Sequence, residues 1–191
     1  TFEGCSSLKN ITIPDSVTSI GNAAFRNCTM LTNVKLSENI TRIESETFSK
    51  CTKLLSITLP KAITSIGESA FSGCTDLKSI TLPTTLTSIG ISTFKDCTNL
   101  VSIIIPEGVT TIGNEAFQNC SSLQNIIIPE SGTSIGRGAF YGCTNLTSIT
   151  IPEGVTTIGN EAFQYCSSLQ NIIIPESVTS IGMGAFYGCT N

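Results

Sequence analysis

The residues best able to do chemistry are nine cysteines, which recur every 23 residues from Cys5 and Cys28 through Cys51, Cys74, Cys97, Cys120, Cys143 and Cys166 to Cys189. Three chemistries use cysteine in numbers: a disulfide framework, a metal cluster and a thiolate nucleophile. Disulfide frameworks compensate for a small core and have irregular spacing, whereas these residues occupy one equivalent position each and their count is odd. A metal site wants clustered ligands and commonly histidine, and the chain has no His. The same absence removes Ser-His-Asp and Cys-His mechanisms. The expectation is nine free thiols, held as small buried hydrophobes, with no cofactor.

Carboxylates form the second candidate set. Asp15, Glu38, Glu107, Glu130, Glu153 and Glu176 share one repeat position, which Lys61 and Thr84 fill in the remaining units. Acid–base catalysis needs a distinguished pair in a pocket, and calcium needs several convergent oxygens; a single row guarantees neither. It reads as a solvated acidic edge that favours cations or a basic partner. The residues therefore exclude an enzyme more firmly than they name a ligand.

What positions these side chains is the repeat itself. Phe keeps the same phase as Cys, from Phe2 to Phe186, without an insertion or deletion, so the chain is read as a single repeat solenoid over residues 1–191 with about eight 23-residue coils. The unit is clearest from Leu146 to Cys166. Ile149 and Ile151 lie two apart around Thr150, which predicts a short parallel strand over about residues 148–151 with both Ile inward. Pro152 then ends the ladder and turns the chain. Val155 and Ile158, spaced by three and followed by Gly159, predict an extended segment with a twist and a second, shorter ladder. Ala162, Phe163 and Cys166 have helical spacing, so a single helical or 3₁₀ turn is expected there. One coil cannot bury these groups alone; stacking does, in a right-handed rod or shallow arc on the order of 40 Å long.

Composition adds bounds. Hydrophobic residues make up 40% and charged residues 13%, so Ser, Thr and Asn carry much of the surface. Residues 1–96 hold nine Lys/Arg against eight Asp/Glu, whereas residues 97–191 hold one against six. A nucleic-acid backbone is no partner for that acidic half. No apolar run is long enough to span a bilayer, so no direct membrane insertion is expected. The chain opens and closes inside a repeat, which suggests a piece of a longer protein. Residues 105–145 and 151–191 differ at only three positions, Asn119/Tyr165, Gly132/Val178 and Arg137/Met183, as a duplicated two-repeat block would. Gly132 stands where other units carry an inward aliphatic residue, so a local loss of packing is expected there. Asn-x-Ser/Thr sequences at Asn10, Asn27, Asn39, Asn119 and Asn145 are candidate glycosylation acceptors in a secretory host.

The candidate protein-binding residues are those that strand alternation turns outward: Thr12, Lys35, Thr58, Thr81, Ile104, Ile127, Thr150 and Ile173. Threonine is ordinary on an exposed strand face; neighbouring Ile104 and Ile127 make an apolar patch or are tolerated β-branched surface residues.

The recurring Leu-x-x-Ile-x-Ile-Pro strand, the Val-x-x-Ile-Gly segment and the Ala-Phe-x-x-Cys turn together resemble the BspA-like, Treponema-type leucine-rich repeat family over essentially the whole chain. The resemblance implies a leucine-rich-repeat-like, β-rich solenoid with the strand row on its concave face. It also implies a non-enzymatic recognition or adhesion module of a surface-associated or secreted protein. The implied partner is an unidentified protein, with proteins of the host extracellular matrix or cell surface as candidates. A structural spacer without its own ligand is the alternative.

Overall fold

The Ile-x-Ile-Pro segments stack in register. In the computed structural model, which describes residues 1–191, each short strand lies parallel to its equivalent one repeat later: Asn10–Thr12 on Asn33–Lys35, Ser56–Thr58 on Ser79–Thr81, and Asn125–Ile127 on Ser148–Thr150. Single bridges join Thr81 to Ile104 and Ser148 to Asn171. The Val-x-x-Ile-Gly segments build a second parallel ladder from two-residue strands. Its longest stretch joins Ser88–Ile89, Thr111–Ile112, Ser134–Ile135, Thr157–Ile158 and Ser180–Ile181. Between the ladders lies one core of 51 buried hydrophobic residues. At its heart the Phe rings from Phe2 to Phe186 stack nearly parallel, with centroids 5.3–5.6 Å apart. This is a β-rich leucine-rich-repeat-like solenoid.

The expected helical or 3₁₀ turn does not form anywhere. The six residues after Gly159 run as successive turns whose N–H groups alternate in direction. Glu161, Phe163 and Tyr165 donate to the next coil, at Met183, Ala185 and Tyr187 carbonyls 2.7–2.9 Å away, while Gln164 and Cys166 donate back to Glu161 and Phe163. Glu161 and Tyr165 adopt φ of 60°, which turns their peptides out of any helical sequence. The reason is hydrogen-bond accounting: an isolated helical turn leaves most of its N–H and C=O groups unpaired. Stacking instead supplies an acceptor from the neighbouring coil every second residue, so a spacing that mimics a helix yields a third inter-coil track.

That geometry has a cost where the left-handed residue is not glycine. Ser69 has φ 54°, whereas its equivalents Gly138 and Gly184 reach 57° and 65° without a Cβ to crowd the carbonyl. Its hydroxyl makes no hydrogen bond of its own, so Ser69→Gly should relieve strain without breaking any side-chain interaction. The relief outweighs glycine's extra chain entropy by on the order of 0.5–1 kcal/mol. Calorimetry should show the melting temperature rising by about 2 °C.

The recurring glycine of the Val-x-x-Ile-Gly segment serves a different purpose, since its φ is not left-handed. A Cβ at Gly159 would lie 2.6 Å from Arg137 N and Gly136 C, and one at Gly136 2.6 Å from Asn114 N. Glycine is there because successive coils touch backbone to backbone. Glu44 is the exception; beside it, Arg42–Ile43 pairs with Ser65–Ile66 in a separate two-stranded piece of the second ladder.

Two other departures are resolved locally. Ser37, which replaces the turn proline, is fully buried; its Oγ donates to the Val17 carbonyl at 2.7 Å and accepts from Asn39 N–H. At Gly132 the space a Cβ would take is already approached by Ile128 Cγ2 at 2.7 Å and the Pro129 carbonyl at 3.0 Å. The neighbours thus close over the position, and the expected packing defect is largely filled.

Candidate protein-binding face

Strand alternation places all eight outward residues on one exposed face. Thr12, Lys35, Thr58, Thr81 and Thr150 stand clear of the core, as do Ile104, Ile127 and Ile173 at 85%, 67% and 82% exposure. Their strand neighbours Ile103, Ile126 and Ile149 point the other way and are buried. The row is therefore a ladder of side chains, one per coil, that can change without disturbing the core. Its N-terminal part is polar and its C-terminal part aliphatic.

Polar groups border the row on one side. Asn33 Nδ2 donates to Asn10 Oδ1 at 2.8 Å, and Ser148 Oγ donates to Asn125 Oδ1 at 2.7 Å. On the other side, beyond the proline turn, Glu107, Glu130, Glu153 and Glu176 are all exposed. A shallow cleft of about 160 Å³ lies between the two isoleucines, lined by Ile103, Ile104, Ile105, Asn125, Ile126 and Ile127. A second of about 260 Å³ is lined by Ile149, Thr150, Ile151, Asn171 and Ile173. The first sits over a seam: Ile104 bridges back to Thr81, and Asn125–Ile127 pairs only forward, with Ser148–Thr150. Strand pattern alone gave no sign of that seam, because both flanking strands carry the same inward and outward residues.

The opposite, turn-bearing face is built differently. Arg26 lies between Glu3 and Glu46, Lys53 pairs with Asp76 at 3.0 Å, Lys95 with Glu115 at 2.8 Å and Arg137 with Glu161 at 3.4 Å. The hydrogen bond from Lys95 holds the Glu115 carboxyl below its ordinary range. Such surface pairs orient coils and contribute little stability. All three tyrosines gather here, Tyr165 meeting Tyr141 and Tyr187 edge-on at 5.5 and 5.7 Å.

Seven of the nine cysteines, Cys28 to Cys166, are buried as expected, whereas Cys5 in the first coil is exposed and Cys189 in the last is half-buried. Each thiol from Cys28 onward donates to the carbonyl of the Phe one coil back; Cys51 Sγ reaches Phe25 O at 3.1 Å and Cys120 Sγ reaches Phe94 O at 3.1 Å. The same carbonyl accepts its own coil's Cys N–H, as Phe25 O does from Cys28 N. Sequence reasoning treated these residues as packing only; the constant Phe-to-Cys spacing was the signal for the bond. Burial raises the thiols, Cys51 and Cys166 to about 12. A nucleophile or metal ligand needs the opposite shift. No cluster of three or more Cys, Asp or Glu converges to hold a metal ion. No helix is long and apolar enough to cross a membrane.

Comparison with known proteins places this architecture. The model of the BspA-type leucine-rich repeat region matches residues 1–124 and 87–191, which together span the chain. Among solved structures, a leucine-rich repeat protein of T. pallidum is 31% identical over 95% of this chain and 82% of its own, with a TM-score of 0.78. A leucine-rich cell surface protein of Faecalibacterium prausnitzii is 33% identical over 99% of this chain and 59% of its own, with a TM-score of 0.65. A leucine-rich repeat protein of Eubacterium ventriosum, 24% identical over 86% of this chain and 44% of its own, shares the fold with a TM-score of 0.76. No curated protein matches the chain. The BspA-type repeat match and the repeated exposed strand face make the solenoid a non-enzymatic scaffold for protein recognition or adhesion. The chain is a member of the BspA-type leucine-rich repeat family.

Proposed function

We propose that this recognition module works at a cell surface or outside the cell, and that it engages its partner through the outward strand row from Thr12 to Ile173. The observation that carries the reading is the exposure of Ile104, Ile127 and Ile173 on extended segments whose flanking residues are buried, half-buried or polar. Three large aliphatic side chains held out in solvent on a rigid ladder add nothing to the fold, and their desolvation by a partner is favourable. The family's surface-associated relative in F. prausnitzii supports the location. Proteins of a host matrix or cell surface are the partner class in keeping with it.

The test is a pulldown of extracellular-matrix and cell-surface proteins by the immobilised chain. Specific capture that free chain competes away is the expected result. A chain that captures nothing above an unrelated solenoid acts as a spacer, and the recognition reading fails.

A further inference from the structure

The last four coils carry an unbroken acidic row beside a mostly aliphatic one, whereas in the first four the outward residue is Thr or Lys and an acid follows in only two, at Asp15 and Glu38. Each of the last four places an outward strand residue, Ile104, Ile127, Thr150 or Ile173, three positions before a glutamate: Glu107, Glu130, Glu153 or Glu176. A row that is aliphatic at three of its four positions thus runs beside an acidic row along the solenoid axis. Residues 97–191 contain two further acids, Glu115 and Glu161, and both are neutralised on the opposite face by Lys95 and Arg137. The four glutamates beside the aliphatic row have no cationic partner, and the half's single basic residue, Arg137, is already engaged. The apolar clefts between Ile104 and Ile127 and beside Ile173 lie open next to this charge.

Spacing selects the shape of what would cover the face. Parallel coils recur at about 4.8 Å, so Ile104 to Ile173 spans three steps, roughly 14 Å. An α-helix laid along the row presents one side chain per turn at about 5.4 Å, a mismatch of roughly 2 Å over three steps that side chains absorb. An extended strand presents same-face residues about 6.7 Å apart and falls out of step by roughly 6 Å over the same distance. The helix is also wide enough, at about 10 Å, for one flank to hang over the acidic row, about three strand residues away.

We infer that the C-terminal half of this face docks an amphipathic helix of a partner protein, with aliphatic residues one turn apart seated along Ile104, Ile127 and Ile173. Lys or Arg on one flank of that helix pairs with Glu107, Glu130, Glu153 and Glu176. The inference rests on the outward strand row being the recognition face and adds the shape and charge of its partner. Aliphatic contacts supply affinity; the acidic row sets the helix's rotation about its axis and selects a basic flank.

The experiment uses fluorescence anisotropy with the full chain and a synthetic helix of about 14 residues bearing Leu at each turn and Lys along one flank. Binding is expected. It should weaken about tenfold for the Glu-flanked version of the peptide, and by a similar factor for the protein carrying Glu107→Gln, Glu130→Gln, Glu153→Gln and Glu176→Gln. Added salt should weaken the wild-type complex and leave the Gln variant's residual binding nearly unchanged. A peptide of the same composition with a central proline should bind at least tenfold more weakly, since proline breaks the helix. No binding to wild type, equal binding of both flanks, or equal binding of the proline peptide overturns the inference. If Ile104→Thr with Ile127→Thr abolishes capture of matrix or surface proteins while the four Glu→Gln changes leave it intact, the face stands and the basic helix falls.

Discussion

Raising the pH above 9 should unfold this solenoid cooperatively. Cys28, Cys51, Cys74, Cys97, Cys120, Cys143, Cys166 and Cys189 all have thiols raised above their ordinary value of 9.0, in every case chiefly because burial removes water from the thiolate. A thiol that stays neutral when folded keeps a proton that the unfolded chain releases. The stability this represents is therefore complete below pH 9 and falls as pH rises toward the folded values, about 12 for Cys51 and Cys166. Each such thiol removes about 1.4 kcal/mol per pH unit in that window. Those two alone remove about 3 kcal/mol per unit, and the rest of the column adds to the slope. A domain with a total stability of about 5–15 kcal/mol unfolds within roughly two units of pH 9. Circular dichroism and thiolate absorbance should change together. In a Cys5→Ser protein, which lacks the one exposed thiol, thiolate appearing near pH 9 with the circular dichroism intact would mean that the column is accessible to water, contrary to the buried Phe–Cys bonds.

Gly159→Val should be among the most damaging single replacements outside the Phe stack. The atoms that a Cβ would meet are all backbone of the preceding coil: Arg137 N, Gly136 C and Gly136 O at 2.6–2.8 Å. No rotamer change can make room, so the two coils must part and the bond from Gly159 N to Ile135 O must lengthen or break. The cost is about 3 kcal/mol or more, equivalent to a melting temperature about 10 °C lower. A Gly159→Val protein melting within a degree of wild type would show that the coils are not in backbone contact there.

These two effects mark what the sequence discloses and what it hides. The strand corner is legible because its signals are local: Ile149 and Ile151 alternate around Thr150, and Pro152 ends the ladder three residues after the first of them. The turn layer is not, because the groups that decide it are 22 residues apart. Nothing between Ala162 and Cys166 announces that Phe163 N–H is bound by the Ala185 carbonyl. The left-handed positions are filled by Glu161 and Tyr165, which carry no glycine signal. Helical spacing was thus a correct statement about which side chains share a buried face and a wrong one about the backbone beneath them. The cysteines follow the same logic: phase made the burial of Cys28 to Cys166 readable, but not the exposure of Cys5, and the thiol-to-Phe bond needed the stacked geometry.

The candidate face divides in a similar way. Outward placement of Ile104, Ile127 and Ile173 follows from alternation, and the acidic row from the fixed phase. The cleft between Ile104 and Ile127 depends on strand pairing lapsing between those two coils, which is a property of the stack as a whole.

The scaffold and the recognition face are separable on this account, and one doubly substituted protein tests that separation. Ile104→Thr with Ile127→Thr installs the residue already present at Thr12, Thr58, Thr81 and Thr150, on side chains that contribute nothing to the core. The melting temperature should stay close to wild type, while affinity for a protein recovered by pulldown falls by about 1–3 kcal/mol through loss of desolvated hydrocarbon. Unchanged affinity with unchanged melting would contradict the assignment of this row as the binding face.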